Sequence, residues 1–148
     1  MSEASGEKRF AVVVARFNSM ITEQLLAGAR ASLLEHEVAA EAISVFYVPG
    51  AWELPQAAQK IARTRGYHAI IALGCVIRGE TAHFDYVAGN ASDGLGRVAL
   101  EAEIPVLFGV LTTENAEQAL ERADTEGGNK GGEVARAAIE MLSLFDSA

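Results

Sequence analysis

Residues able to do chemistry concentrate between Gly74 and Val87, in the run Gly-Cys-Val-Ile-Arg-Gly-Glu-Thr-Ala-His-Phe-Asp-Tyr-Val. An apolar stretch, Ala69 to Val76, gives way to a polar loop carrying Arg78, Gly79, Glu80, Thr81 and His83, and a helical pattern begins at Phe84. Such a loop at a helix mouth offers backbone N–H groups, a hydroxyl and an imidazole to an anion, and the helix dipole favours negative charge there. Phosphate held beside a histidine, the side chain most often used for proton transfer, points to chemistry on a small phosphorylated molecule. His83 stands out through this company. His36, in a helical stretch, and His68, before an apolar run, read as structural or solvated.

Other chemistries find less support. Three histidines spread in this way show no metal-ligand spacing, so no metal is expected. The single cysteine, Cys75, rules out an intramolecular disulfide, and its apolar setting reads as a small hydrophobe rather than a nucleophile. No Ser or Cys stands in a nucleophile-elbow context. The glycine-rich segment from Gly127 to Gly132 lacks the spacing of a nucleotide P-loop and follows a helix instead of a strand.

The elements that must position these groups are legible as apolar runs. Phe10 to Ala15, Ile43 to Val48, Ala69 to Val76 and Val106 to Leu111 read as four strands, and their lack of alternation predicts burial on both faces, as in a parallel sheet. Ile21, Leu25, Ala29 and Leu33 recur every fourth position and mark a first helix. A second runs through Leu54, Ala57, Ala58, Ile61 and Ala62 and stops at Gly66. A third covers Phe84 to Ala102. Glu114 to Ala123 forms a fourth after Thr112-Thr113, read as its N-cap. Four glycines between Asp124 and Gly132 break the chain before a fifth helix, Glu133 to Leu144. Strand–helix alternation with short connections predicts an α/β sandwich around a parallel sheet, in a single domain over 1–148 with 1–9 as an N-terminal arm.

In such sheets ligands bind beyond the carboxyl ends of the strands. That edge gathers Arg16-Phe17-Asn18, the segment Pro49 to Pro55, Ile77 to His83, and Thr112-Thr113. Phe17 is either an exposed aromatic platform or a core residue capping the first helix. Pro49-Gly50-Ala51-Trp52-Glu53 reads alone as a helix start with Glu53 favoured by the dipole, yet its small residues also let main chain approach a planar heterocycle.

Composition bounds the partners. A net charge of −8 over 148 residues argues against general nucleic-acid binding. No apolar stretch approaches the roughly 20 residues that span a bilayer, and the first nine residues lack a signal peptide's apolar region, so a cytoplasmic protein is expected. Half the residues are hydrophobic, many of them Ala and Val, which suggests further burial between subunits.

The motifs together resemble the 6,7-dimethyl-8-ribityllumazine synthase family. Ala15-Arg-Phe-Asn18, Val48 to Pro55, Gly74 to Val87, Phe108 to Asn115, Gln118 to Ala123 and Gly128-Asn-Lys-Gly131 occur in that family's order, from Phe10 to Leu144. The resemblance implies a three-layer, flavodoxin-like fold with a four-stranded parallel sheet of order 2-1-3-4. It implies condensation of 5-amino-6-(D-ribitylamino)uracil with 3,4-dihydroxy-2-butanone 4-phosphate, the penultimate step of riboflavin biosynthesis, with no cofactor. Carried over by residue, it makes Phe17 the ring that stacks on the pyrimidine. Ala51, Trp52 and Glu53 would meet the ribityl chain, while Cys75, Val76 and Ile77 would hold the uracil edge through their backbone. Glu80 and Thr81 would cradle the butanone phosphate, with His83 as proton carrier. Phe108 and Arg122 would come from the adjacent subunit, and Lys130 lies near the same phosphate region. Glu80 is electrostatically awkward there, so either its backbone N–H serves or its side chain pairs with Arg122 in the empty site.

The resemblance further implies a homopentamer, either alone or within a shell of about 60 subunits, and riboflavin synthase as an associated partner. The turn after Ala123 keeps Gly128-Asn-Lys-Gly131, but Asp124 and Glu126 add negative charge where shell-forming members often carry Gly and Lys. Two other functions compete with the synthase: a flavin or lumazine carrier without turnover, and a flavodoxin-type electron carrier with tightly bound FMN.

Overall fold

A computed structural model describes residues 8–79 and 82–148. The predicted phosphate ligands Glu80 and Thr81, and residues 1–7 of the predicted arm, lie outside the described residues. Strand β1 is Phe10–Ala15, followed by helix α1, Ser19–Glu35; β2 is Ile43–Val48, followed by a short 3-10 turn, Ala51–Glu53, and α2, Leu54–Thr64. Then come β3, Ala69–Ile77; α3, His83–Glu101; β4, Val106–Thr113; α4, Ala116–Ala123; and α5, Lys130–Ser147. All strands are parallel, in the order β2-β1-β3-β4 that the resemblance implied.

The period of two along each strand builds the layers. Val12, Val14, Ile71 and Leu73 face one way and pack under α1, α4 and α5. Ala11, Val13, Ile70 and Ala72 face the other way, under α2 and α3. β1 and β3 hold the centre and are buried on both faces, where each Val or Ile stabilises by about 1.5–3 kcal/mol. The edge strands differ from the expectation of full burial: Phe46 and Tyr47 on β2 and Phe108 on β4 remain partly exposed, because an edge strand has a neighbour on one side only. Phe46 meets Tyr67 edge-on at 5.9 Å, and the Arg9 guanidinium covers the Tyr67 ring at 5.0 Å.

Several predicted boundaries move: β3 gains Ile77, α3 shifts by one residue to His83–Glu101, and α5 lengthens at both ends to Lys130–Ser147. Thr112 and Thr113 do not cap α4; their β-branched side chains suit a strand, and they extend β4 in register with Val76 and Ile77. The cap is Asn115, whose Oδ1 accepts the Gln118 N–H at 2.8 Å. Helix α2 ends at Thr64 and is capped by Arg65, which takes the left-handed position (φ 61°) expected of Gly66. Gly131 and Gly132 belong to the first turn of α5 rather than to a break. A Cβ at Gly131 would run into the backbone of Leu25, and one at Gly28 into Asn129, so these glycines let α1 and α5 touch. Among the described residues no glycine has a positive φ; Asn18, Glu37, Arg65 and Asn129 take the left-handed positions.

Of the predicted arm, Lys8 pairs with Asp146 at 3.0 Å, and Arg9 donates its N–H to His68 Nδ1 at 2.9 Å. His36 closes α1, its Nδ1 2.8 Å from the Ser32 carbonyl. Both histidines thus take the structural roles expected of them. No helix among the described residues is long and apolar enough to cross a membrane.

Candidate functional site

The carboxyl edge of the sheet holds a cleft of about 460 Å³, within the range of small-molecule sites. Its first wall grows out of β1. Parallel pairing outlasts the strand: Arg16 N–H donates to the Val48 carbonyl (2.8 Å) and Phe17 N–H to the Pro49 carbonyl (3.0 Å). Asn18 then turns into the left-handed region (φ 65°, ψ 47°), which ends the ladder and starts α1. Its side chain does not cap the helix. Nδ2 instead reaches across to the Cys75 carbonyl at 3.0 Å, tying the exit of β1 to the exit of β3. Phe17 is left 70% exposed on the cleft, so of its two readings the open platform is the one that holds.

The second wall follows β2. Glu53 folds back so that Oε1 accepts the Gly50 N–H at 2.9 Å, and its own N–H donates to the Gly50 carbonyl at 3.1 Å. This fixes the turn Ala51–Glu53 and accounts for Glu53 structurally, while leaving its second carboxylate oxygen uncommitted by that bond. Asn90, on α3, donates Nδ2 to the Trp52 carbonyl at 3.0 Å and holds the turn from outside. Trp52 is 54% exposed and Ala51 is buried beneath it.

The floor is the end of β3. Cys75 and Val76 belong to opposite core layers, and both line the cleft. Burial pushes the Cys75 thiol up to about 11, which keeps it protonated and without nucleophilic character at neutral pH. Beyond it, Arg78 N–H donates to the Thr113 carbonyl (2.9 Å). His83 opens α3 and lines the cleft together with Phe84 and Val87. Phe84 and Val87 continue the helix face that Ala91, Leu95 and Val98 turn into the core, so the cleft wall is the outer end of that apolar stripe.

Phe17, Ala51, Trp52, Glu53, Cys75, Val76, Ile77 and His83 therefore meet around one space. Arg122 and Lys130 do not. They line a second cavity, of about 400 Å³, with Val110, Leu111, Thr112, Gly128 and Glu133, and the two cavities share no lining residue. Lys130 is 3.3 Å from Glu133 there. Phe108 lines neither; it stands on the open edge strand β4 opposite Ala72, 39% exposed. Among the described residues no group of three His, Cys, Asp or Glu side chains is placed to hold a metal ion.

Sequence reasoning did not find the ties made by Asn18 and Asn90, nor the walls Phe84 and Val87. The apolar spacing of Phe84, Val87, Ala91, Leu95 and Val98 runs from the cleft into the core and carried the signal for the two walls. The arrangement as a whole offers an exposed aromatic ring, main-chain polar groups at a strand end, and a histidine at a helix mouth, which can stack a planar ring and move protons beside it. Comparison with known families agrees in scope with this geometry: the family model described as 6,7-dimethyl-8-ribityllumazine synthase matches residues 7–146.

Proposed function

Because the chain belongs to the 6,7-dimethyl-8-ribityllumazine synthase family, transferases of riboflavin biosynthesis, we propose that it condenses 5-amino-6-(D-ribitylamino)uracil with 3,4-dihydroxy-2-butanone 4-phosphate. The observation that carries the proposal is the convergence of Phe17, residues 51–53, residues 75–77 and His83 on one cleft. The pyrimidine stacks on Phe17, with its polar edge along the main chain of Cys75 to Ile77. The ribityl chain runs over Ala51, Trp52 and Glu53. The butanone phosphate lies at the mouth of α3, where Glu80 and Thr81 belong to the proposed cradle.

The nucleophile is the substrate's own amine, so the protein needs no reactive side chain; the high thiol pKa of Cys75 is compatible with that. The amine forms an imine with the butanone carbonyl and releases one water; phosphate is then eliminated, the enol left behind tautomerises to a new carbonyl, and the second nitrogen closes the ring on it with loss of a second water. His83 carries protons between these steps. Holding two reactants in register can supply about 7–11 kcal/mol, against roughly 10²- to 10⁴-fold for one positioned acid–base group. Positioning therefore contributes more to the rate than proton transfer does.

Arg122, Lys130 and Phe108 act, in this proposal, on the cleft of a neighbouring copy. Their separation from the chain's own cleft supports a site completed across a subunit boundary. A head-to-tail contact of that kind favours a closed ring; the family resemblance implies a homopentamer, and the acidic turn at Asp124 and Glu126 makes any larger shell sensitive to salt. The test is incubation of the purified protein with both substrates. Phosphate and fluorescent lumazine appearing together support the reaction, whereas ligand binding without phosphate release refutes it. Light scattering at working concentration that gave monomers or dimers would remove the ring.

A further inference from the structure

We propose that Arg78 is a positioning residue: it locks the first turn of α3, and with it His83 and the Phe84 wall, to the loop between β4 and α4. The proposal rests on reading the cleft as the reaction site. Arg78 leaves β3 with its backbone N–H still held by the Thr113 carbonyl, so its starting point is registered to the end of β4. From there its Nε lies 3.1 Å from Glu114 Oε1, and its Nη1 lies 3.8 Å from Asp85 Oδ1. Its guanidinium carbon sits 4.4 Å from the centroid of the Phe84 ring. One side chain thus joins Glu114, beyond β4, to the two residues that directly follow His83.

A cation beside a proposed phosphate loop invites a different assignment, as an anion ligand. The surrounding charge argues against it. Two carboxylates, Glu114 and Asp85, face the single positive charge, and the Phe84 ring covers one side of the plane. What remains is a net negative cluster with little to attract phosphate. The ion pairs are also half-exposed, with side chains 45% to 66% accessible, and pairs of that kind add little to fold stability and are screened by salt. Their contribution is geometric. They give α3 a fixed start at the point where a displaced imidazole costs rate.

The experiment compares the full-length protein in its native assembly with Arg78→Met, Arg78→Lys, Glu114→Gln and the Arg78→Met/Glu114→Gln double variant. Arg78→Met keeps the apolar stem and is expected to lower kcat by about 10- to 100-fold, the scale of a one-ångström misplacement. KM for the pyrimidine and inhibition by inorganic phosphate are expected to stay within about twofold. Glu114→Gln lowers kcat in the same direction by a smaller factor, and the double variant is no slower than Arg78→Met, since both act through one contact. Arg78→Lys recovers part of the rate, because an ammonium cannot lie flat on Phe84 while forking to a carboxylate. In NMR, the His83 ring signals shift in Arg78→Met and in Glu114→Gln alike, a readout that needs no turnover. A wild-type chain that converts no substrate therefore refutes the proposed reaction while the lock is still measured. Unchanged kcat in Arg78→Met overturns the lock, and so do unmoved His83 signals. Phosphate inhibition that weakens about tenfold in Arg78→Met and tightens in Glu114→Gln overturns it in favour of an anion ligand.

Discussion

Asn18 carries two separable features, a left-handed backbone and an amide bond of 3.0 Å to the Cys75 carbonyl. Asn18→Gly keeps the backbone conformation without strain and deletes the amide. The lost bond is worth about 0.5–1.5 kcal/mol net, and the greater freedom of glycine in the unfolded chain adds roughly 0.4–1 kcal/mol. Asn18→Ala loses the same bond and forces a Cβ into the left-handed region, at a cost of roughly 1–2 kcal/mol. The expected losses are about 1–2 kcal/mol for glycine and about 2–3 kcal/mol for alanine. At about 2–4 °C per kcal/mol for a chain of this size, Tm falls by roughly 2–8 °C and 4–12 °C respectively. Asn18→Asp tolerates the backbone but aims a carboxylate at a carbonyl, so it should cost more than glycine. Thermal unfolding at a fixed protomer concentration measures all three, since assembly otherwise shifts Tm. The single tryptophan, Trp52, lines the same cleft, so its native emission reports whether the walls have moved. Alanine and glycine variants of equal stability would mean the left-handed backbone costs alanine no more than glycine loses through its freer unfolded chain, below the roughly 1–2 kcal/mol assigned to it here. Variants as stable as wild type would mean the cross-strand tie contributes nothing.

His83→Ala should fold normally, bind substrates almost unchanged and lose turnover by no more than roughly 10⁴-fold; steady-state kinetics with both substrates checks this, and complete inactivity in a correctly assembled protein contradicts it. Phe17→Ala and Arg122→Ala, each inactive alone, should recover partial activity after unfolding and co-assembly, because some sites then receive both intact groups; proven mixing without recovery ends the shared-site proposal. His68 is held below its ordinary value near 6.5, first by burial and then by the Lys8 and Arg9 charges, with Asp146 opposing. The unfolded chain therefore takes up this proton first, and stability should fall as pH drops below about 6.5. A His68→Asn variant keeps an acceptor for the Arg9 N–H without titrating, and Tm measured from pH 7 to 5 should fall less steeply in it than in wild type.

Strand and helix identities were legible because uninterrupted apolar runs and fourfold spacing are local signals. β1 and β2 have the bounds their sequences predict. Thr112 and Thr113 misled because a threonine before an acidic stretch suits a cap as well as a strand end; the choice is made by pairing with Val76 and Ile77, which is not local. The exposure of Phe46 and Phe108 depends on which strands lie at the edges. That order came from family resemblance, since nothing in the apolar pattern distinguishes an edge strand from a central one here. The cleft residues were legible because parallel sheets gather the loops that follow their strands. The bonds that fix those loops were not: Asn18 to Cys75, Asn90 to Trp52 and Arg78 to Glu114 each join residues more than thirty positions apart.

The glycines among the described residues take no left-handed backbone, so close approach is what they supply, and that divides them by how freely they can drift. Gly109 lies where a Cβ would press on Leu73 and the Ala72 carbonyl, and Gly94 where it would press on Pro55, so substitution at either must move a neighbour. Gly89 and Gly96, also on α3, would place a Cβ in open space among the described residues. Each weakens the helix by roughly 0.5–1 kcal/mol relative to alanine, with no packing in return inside the chain. An engineer seeking a more stable single chain would fill these two positions first. Left as they are, they give α3 a face of unusually low relief, on which another surface can lie closer than ordinary side chains would permit.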